Sequence, residues 1–306
     1  MSTAFYTHPD MLAHDPGRNH VERPDRLRTV LEVLADDATL DLDRHEATLA
    51  SLDELALVHP RAYIDNVVAS EPAGGIFKLD PDTRLSPGSV RAALLAAGAV
   101  TQAVRAVAAS ETLRAFCAIR PPGHHAEPDK AMGFCIFSNV AIAARIAQGL
   151  GMPRVAVIDF DVHHGNGTQA AFETDDSLFY GSIHQRPLYP GTGAASETGV
   201  GNVVNSPVPP MAASSAWRKA FEKIMTPLDA FAPDLILISA GFDAHARDPL
   251  ATQSLEAEDF AWATRAIAEV ARARCGGKLI SSLEGGYDLE GLGQSSLAHV
   301  KALGEG

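Results

Sequence analysis

Three cysteines, Cys117, Cys135 and Cys275, share no CxxC spacing. So sparse and odd a set excludes a disulfide framework and fits a reducing compartment. Positive charge is also scarce. Against 38 aspartates and glutamates stand 25 lysines and arginines, a net charge of −13. That balance speaks against a nucleic-acid partner, because phosphate binding needs a basic patch. It weakly favours cationic partners such as amines, although solubility alone explains it more simply. The first eight residues lack a positive start and a long apolar run, so no signal peptide is expected. No window of 18 uninterrupted, uncharged apolar residues predicts a membrane span or a membrane partner. The cytoplasm is the expected location. HExxH, GxSxG and GxxxxGK[ST] are missing, and Gly191, Gly193, Gly199 and Gly201 do not form GxGxxG.

What is present is a large apolar complement, 46% of 306 residues, enough for a substantial core. Repeats, low-complexity linkers and composition shifts are lacking, so residues 1–306 read as a single domain. Strand-like runs recur at 116–119, 155–160, 178–183, 235–239 and 278–283. Helical patterns lie at 24–35, 90–108, 139–150, 217–231, 257–274 and 289–302. The alternation predicts an α/β fold with a central, mainly parallel sheet flanked by helices. The polar loops 120–133, 184–203 and 241–250 each follow a strand. They converge on the edge where open α/β sheets bind ligands.

The densest chemistry is Asp159-Phe160-Asp161-Val162-His163-His164, directly after the apolar run 155–158. Carboxylates and imidazoles at the end of a buried strand point to a metal site, and alternation puts Asp159, Asp161 and His163 on one face. The plainer reading is a polar surface turn. Asp243, after the strand at 235–239, is the candidate third ligand. Two carboxylates and one imidazole leave a coordination position open, as catalytic zinc requires. His245 is assigned a structural or supporting role. Arg120-Pro121-Pro122-Gly123-His124-His125 holds two histidines behind a stiff turn, and histidine shuttles protons near neutral pH. In Glu284-Gly285-Gly286-Tyr287 the glycines permit close backbone approach, and a phenol can donate to a developing oxyanion. Exposed loop histidines and a surface tyrosine are the plainer alternatives.

In register, these segments resemble the zinc-dependent histone deacetylase family, including its bacterial deacetylase-like amidohydrolases. The motifs are Arg120–His125, Gly133-Phe134-Cys135, Asp159–Asn166, Pro190–Gly193, Ala240–Asp243 with Asp248-Pro249, and Gly285–Tyr287. His20-Val21-Glu22-Arg23-Pro24 resembles the family's opening motif, with Val21 where proline is usual. The resemblance implies the single-domain arginase–deacetylase fold. It implies that Asp161, His163 and Asp243 bind one catalytic Zn²⁺, and that His124 and His125 flank the attacking water. Tyr287 would polarise the scissile carbonyl. Asp159 would support His124, and Asn166 would pair with His125, where many members carry aspartate. A neutral amide stabilises an imidazolium less than a carboxylate does, so His125 should be the less basic of the two and suit a general base.

Phe134 and Tyr189, with Gly133, Leu250 and Gly286, would line the acyl channel. The resemblance further implies a structural K⁺ at Asp159, Asp161, His163, Ser182 and Ile183. A second alkali ion would sit on the carbonyls of Phe172, Asp175 and Leu178. His164 is left without a catalytic role.

The implied reaction is removal of acetyl groups from acetyl-lysine-like amines. Acetylated polyamines are the runner-up substrate, disfavoured by Leu250 after Asp248-Pro249 where polyamine-selective members place a glutamate. A binuclear Mn²⁺ ureohydrolase would need more carboxylates, and a non-catalytic scaffold would not need every catalytic position filled. Self-association into a homo-oligomer stays open, as do acyl length and the choice between Zn²⁺ and Fe²⁺.

Overall fold

The computed structural model describes residues 2–305. Ten strands occur among them: β1 (Thr3–Thr7), β2 (Leu42–Glu46), β3 (Phe77–Lys78), β4 (Arg84–Leu85), β5 (Arg114–Cys117), β6 (Val155–Asp159), β7 (Leu178–Gln185), β8 (Val203–Val208), β9 (Leu235–Ala240) and β10 (Leu279–Leu283). β3 and β4 form a small antiparallel pair. The other eight make one sheet in the order β2-β1-β5-β10-β9-β6-β7-β8, and every pairing in it is parallel. Its middle strands read Val155-Ala156-Val157-Ile158 and Leu235-Ile236-Leu237-Ile238, apolar without alternation, because helices cover both faces.

The α-helices are α1 (Pro24–Asp36), α2 (Leu52–Leu55), α3 (Arg61–Ala69), α4 (Ser89–Ala108), α5 (Asn139–Gly149), α6 (Asn166–Phe172), α7 (Ser214–Phe231), α8 (Ala257–Cys275) and α9 (Leu289–Gly304). α4 and α5 pack on one face of the sheet, against β1, β5, β6, β9 and β10. α7, α8 and α9 pack on the other, with α1 against α9. Pro24 begins α1, where its missing N–H costs nothing. By length and composition, α4 alone among the described residues is long and apolar enough to cross a membrane, although it carries Arg91 and Arg105. Its packing supplies the reason for its apolarity: it is mostly buried, lying on the sheet beside α5.

The predicted strand at 116–119 sits two residues early, at Arg114–Cys117, in register with β10 from Arg114 to Cys117. The predicted loop 184–203 begins inside β7 and ends at the first residue of β8. β1, β2, β8 and the short helices α2, α3 and α6 were not anticipated. All three cysteines are buried free thiols.

Candidate active site and metal centre

Parallel strands deliver their C-terminal ends to one edge, and β5, β6, β9 and β10 carry the polar residues there. Past β6 the backbone leaves the strand and wraps around its own carboxylates. Asp161 N–H donates to Asp159 Oδ1 (3.1 Å), and His163 N–H donates to Asp161 Oδ1 (2.9 Å). The single predicted face therefore divides. Asp161 and His163 group with Asp243, whereas Asp159 meets His124 Nδ1.

His163 Nδ1 lies 3.1 Å from Asp161 Oδ1 and 3.1 Å from Asp243 Oδ2. One donor atom from each residue lies within 4.8 Å of the others, and all three are buried. Asp243 Oδ1 accepts from Val162 N–H (2.8 Å) and Asp161 Oδ2 from Gly285 N–H (2.9 Å), so both carboxylates are anchored by backbone. A Cβ at Gly285 would run into the carboxylate oxygens of Asp243 and Asp161, so only glycine lets the β10 loop close over them. Burial and the neighbouring Asp161 charge raise the Asp243 carboxyl to about 7. Burial opposes charge on His163, but hydrogen bonds to Asp161 and Asp243 outweigh it and raise the imidazole to about 10. Two buried carboxylates thus compete for one positive partner. This donor set fits a divalent cation, which would supply the missing charge.

His124 and His125 stand side by side, ring centroids 4.0 Å apart. His124 Nδ1 meets Asp159 Oδ2 at 3.0 Å, and Tyr180 OH donates to the same oxygen at 2.9 Å. Burial lowers the basicity of His124, but Asp161 and Asp159 overcome that and raise it to about 10. His125 Nδ1 meets Asn166 Oδ1 at 2.9 Å. Burial first, then the charges of His124 and His163, hold His125 well below the ordinary imidazole value. The expected order of basicity is present, but burial and neighbouring cations cause most of it; the Asn166 contact works the other way.

Sequence reasoning missed the next partner. Asn166 Nδ2 donates to Glu127 Oε1 (2.7 Å), a residue three positions beyond His124. It also missed the support under the turn at 120–125. Glu284 Oε2 accepts from Gly123 N–H (2.7 Å) and His124 N–H (3.2 Å). Arg120 Nε and Nη2 grip the buried Glu22 at 2.6 and 2.8 Å. No local spacing signals partners so far apart in the chain.

A pocket of about 230 Å³ opens onto this cluster. Asp82, His125, Gly133, Phe134, His163, Leu188, Tyr189, Leu250 and Tyr287 line it. Phe134 and Tyr287 meet edge to face at 5.8 Å, and Tyr189 stands edge-on to His125 at 5.2 Å. Burial pushes the Tyr287 phenol well above its ordinary value, although the nearby Arg26 opposes this. Asp82 and Leu188 were unforeseen. Gly286, expected to line the channel, does not: it sits behind Tyr287 at φ +116, facing Leu292 and Phe242, and its carbonyl accepts from Arg26 Nε (2.6 Å).

Asp159 and Ser182, two of the residues implied for the first K⁺, are direct neighbours across β6 and β7. The carbonyls of Phe172, Asp175 and Leu178 also converge, but on the side chain of Asn202. His164 pins the following loop, with Thr192 Oγ1 at 2.8 Å and Gln169 Oε1 at 2.9 Å. His245 is buried against Gly291, with Glu256 Oε2 at 3.6 Å, and contributes no atom to the three-residue cluster.

Comparisons with known proteins point to one family. The histone deacetylase domain model matches residues 20–303. A probable deacetylase of Archaeoglobus fulgidus is 38% identical over 99% of this chain and 86% of its own length. A histone deacetylase-like amidohydrolase of Pseudomonas aeruginosa is 40% identical over 88% of this chain and 72% of its own. The crystal structure of the HDA15 HD domain superposes with a TM-score of 0.93 at 36% identity, covering 99% of this chain and 88% of that one. The chain belongs to the histone deacetylase family. Its fold is that of a deacetylase domain, and the family's chemistry is hydrolytic deacetylation.

Proposed function

We propose that this chain is a zinc-dependent amidohydrolase that releases acetate from N-acetyl-lysine or similar N-acetyl amines. One observation carries the reading: an Asp161–His163–Asp243 cluster, two histidines of opposite basicity and a phenol converge at one end of an apolar pocket. Zn²⁺ held by Asp161, His163 and Asp243 would supply Lewis acidity and bring the pKa of a water toward roughly 7. The neighbouring Asp159, Ser182 and Ile183, with the carbonyls of Asp161 and His163, would hold K⁺.

The chain's own groups do the rest. Glu127 accepts only, so it takes the Nδ2 end of Asn166 and turns Oδ1 toward His125. His125 must then carry its proton on Nδ1, which leaves the Nε2 lone pair free to take a proton from water. The His125 imidazolium so formed gives that proton to the departing amine, while His124, hydrogen-bonded to Asp159, flanks the water. Tyr287 donates its phenolic hydrogen to the oxyanion. Phe134, Tyr189, Leu188 and Leu250 keep water off the aliphatic stem of the substrate. Leu250 offers no charge for a distant ammonium, which favours acetyl-lysine over acetylpolyamines. Three buried free thiols suit the cytoplasm.

The test is acetate release from a panel of acetyl-lysine peptides, acetylpolyamines and small N-acetyl amines. Highest kcat/KM on an acetyl-lysine peptide supports the reading. A preference for acetylpolyamines overturns the substrate assignment, and no turnover of any panel member overturns the activity.

A further inference from the structure

The turn between α6 and β7 aims three backbone carbonyls at one point. Asn202 Nδ2 stands on that point, 2.8 Å from Phe172 O, 2.9 Å from Asp175 O and 2.8 Å from Leu178 O. The residue is buried. Its orientation is fixed from behind, because Val200 N–H donates to Asn202 Oδ1 at 3.2 Å and so holds the oxygen end away from the carbonyls. An amide NH₂ has two hydrogens, so the third carbonyl shares one of them. Two of the three oxygens have a backbone donor as well: Asp175 N–H for Phe172 O (3.0 Å) and Leu178 N–H for Asp175 O (3.1 Å).

A cation bound by these carbonyls would need the position that the nitrogen fills. The residues present therefore do not fit the second alkali ion. We infer that the Asn202 amide is a built-in replacement for that ion, so the α6–β7 turn is closed by the chain itself and needs no cation. An uncharged amide meets the carbonyls without the desolvation cost of an ion. The same side chain ties the approach to β8 onto the end of α6. The other end of that helix carries Asn166, the partner of His125.

Thallium(I), an anomalously scattering substitute for K⁺, tests it in crystals of the wild-type protein. No anomalous peak is expected among the carbonyls of Phe172, Asp175 and Leu178; a peak there overturns the inference. The variant Asn202→Ala removes the amide and leaves the carbonyls unmet. Its Tm in K⁺-free buffer is expected to fall by roughly 5 °C or more. Part of that loss should return on adding K⁺, in a step the wild type lacks. A variant that melts like the wild type, or whose loss no K⁺ concentration restores, contradicts the claim that the amide stands in for a cation. Should Asn202→Ala not fold, the wild-type thallium map decides alone.

Discussion

Asn166 Nδ2 stands 2.7 Å from the Glu127 carboxylate, and that contact decides which end of the amide faces His125. Replacing Glu127 with alanine frees the amide to rotate and offer N–H to an imidazole nitrogen that needs an acceptor. We predict a kcat loss on the order of 10–100-fold with KM nearly unchanged. Glu127→Gln can still present a carbonyl and should recover much of it. Steady-state kinetics of the two variants check this, and equal kcat for Glu127→Ala and wild type removes Glu127 from the arrangement.

Tyr287 is held by backbone rather than through its hydroxyl: its N–H donates to Asp248 Oδ2 at 2.7 Å, and Arg26 lies over its ring at 4.8 Å. Tyr287→Phe keeps both contacts. The variant should fold with an unchanged Tm and lose roughly 10²–10³ in kcat. Near-normal turnover would refute its role as oxyanion donor.

Gly285 lets the β10 loop lie directly on Asp161 and Asp243. Gly285→Ala should push the two carboxylates apart while leaving the sheet intact. We predict zinc affinity lower by on the order of 10–100-fold, read by competition with a chromophoric chelator, and an unaltered far-ultraviolet spectrum. Wild-type affinity would show that the close approach is incidental.

Stability should fall as pH drops through the range where unfolded histidines take up protons, near 6.5. His299 is buried between Thr264 Oγ1 (2.6 Å) and Ser281 Oγ (2.7 Å), and burial lowers it to about 3. Its folded value lies below the unfolded value of about 6.5. Its contribution is therefore complete above pH 6.5 and drains away as pH falls toward 3, at about 1.4 kcal/mol per unit. His164, lowered by burial to about 3, and His184, lowered by burial to about 4, act in the same direction, whereas Asp243, raised by burial to about 7, opposes them without matching their number. Denaturant midpoints between pH 7 and 4.5 should decline, and more shallowly in His299→Gln. A flat profile would contradict this.

The central strands and the site were legible for one reason. Parallel strands buried on both faces are continuous apolar runs, and the fold places chemistry directly after them: Asp159 ends β6, and Asp243 and Glu284 follow β9 and β10. The strands toward the edges were not legible. β2 reads Leu-Asp-Arg-His-Glu, and β8 carries Asn205 and Pro207, tolerable only at an edge. β1 reads Thr-Ala-Phe-Tyr-Thr, without the Val, Ile and Leu run of the central strands. Partners distant in sequence were invisible for a different reason. Glu22 meets Arg120 across 98 positions, and Asn202 meets Phe172 across 30. Such pairs leave no periodicity to read. The placement of Gly286 also escaped, because alternation fails where φ turns positive.

The most direct measurement is metal content and acetate release on one purified sample, before and after chelation. We predict one Zn²⁺ per chain in the active protein, loss of acetyl-lysine peptide hydrolysis when it is removed, and recovery on adding one equivalent back. Asp243→Ala should neither retain the metal nor regain activity. Full hydrolysis by the metal-free chain would contradict the account.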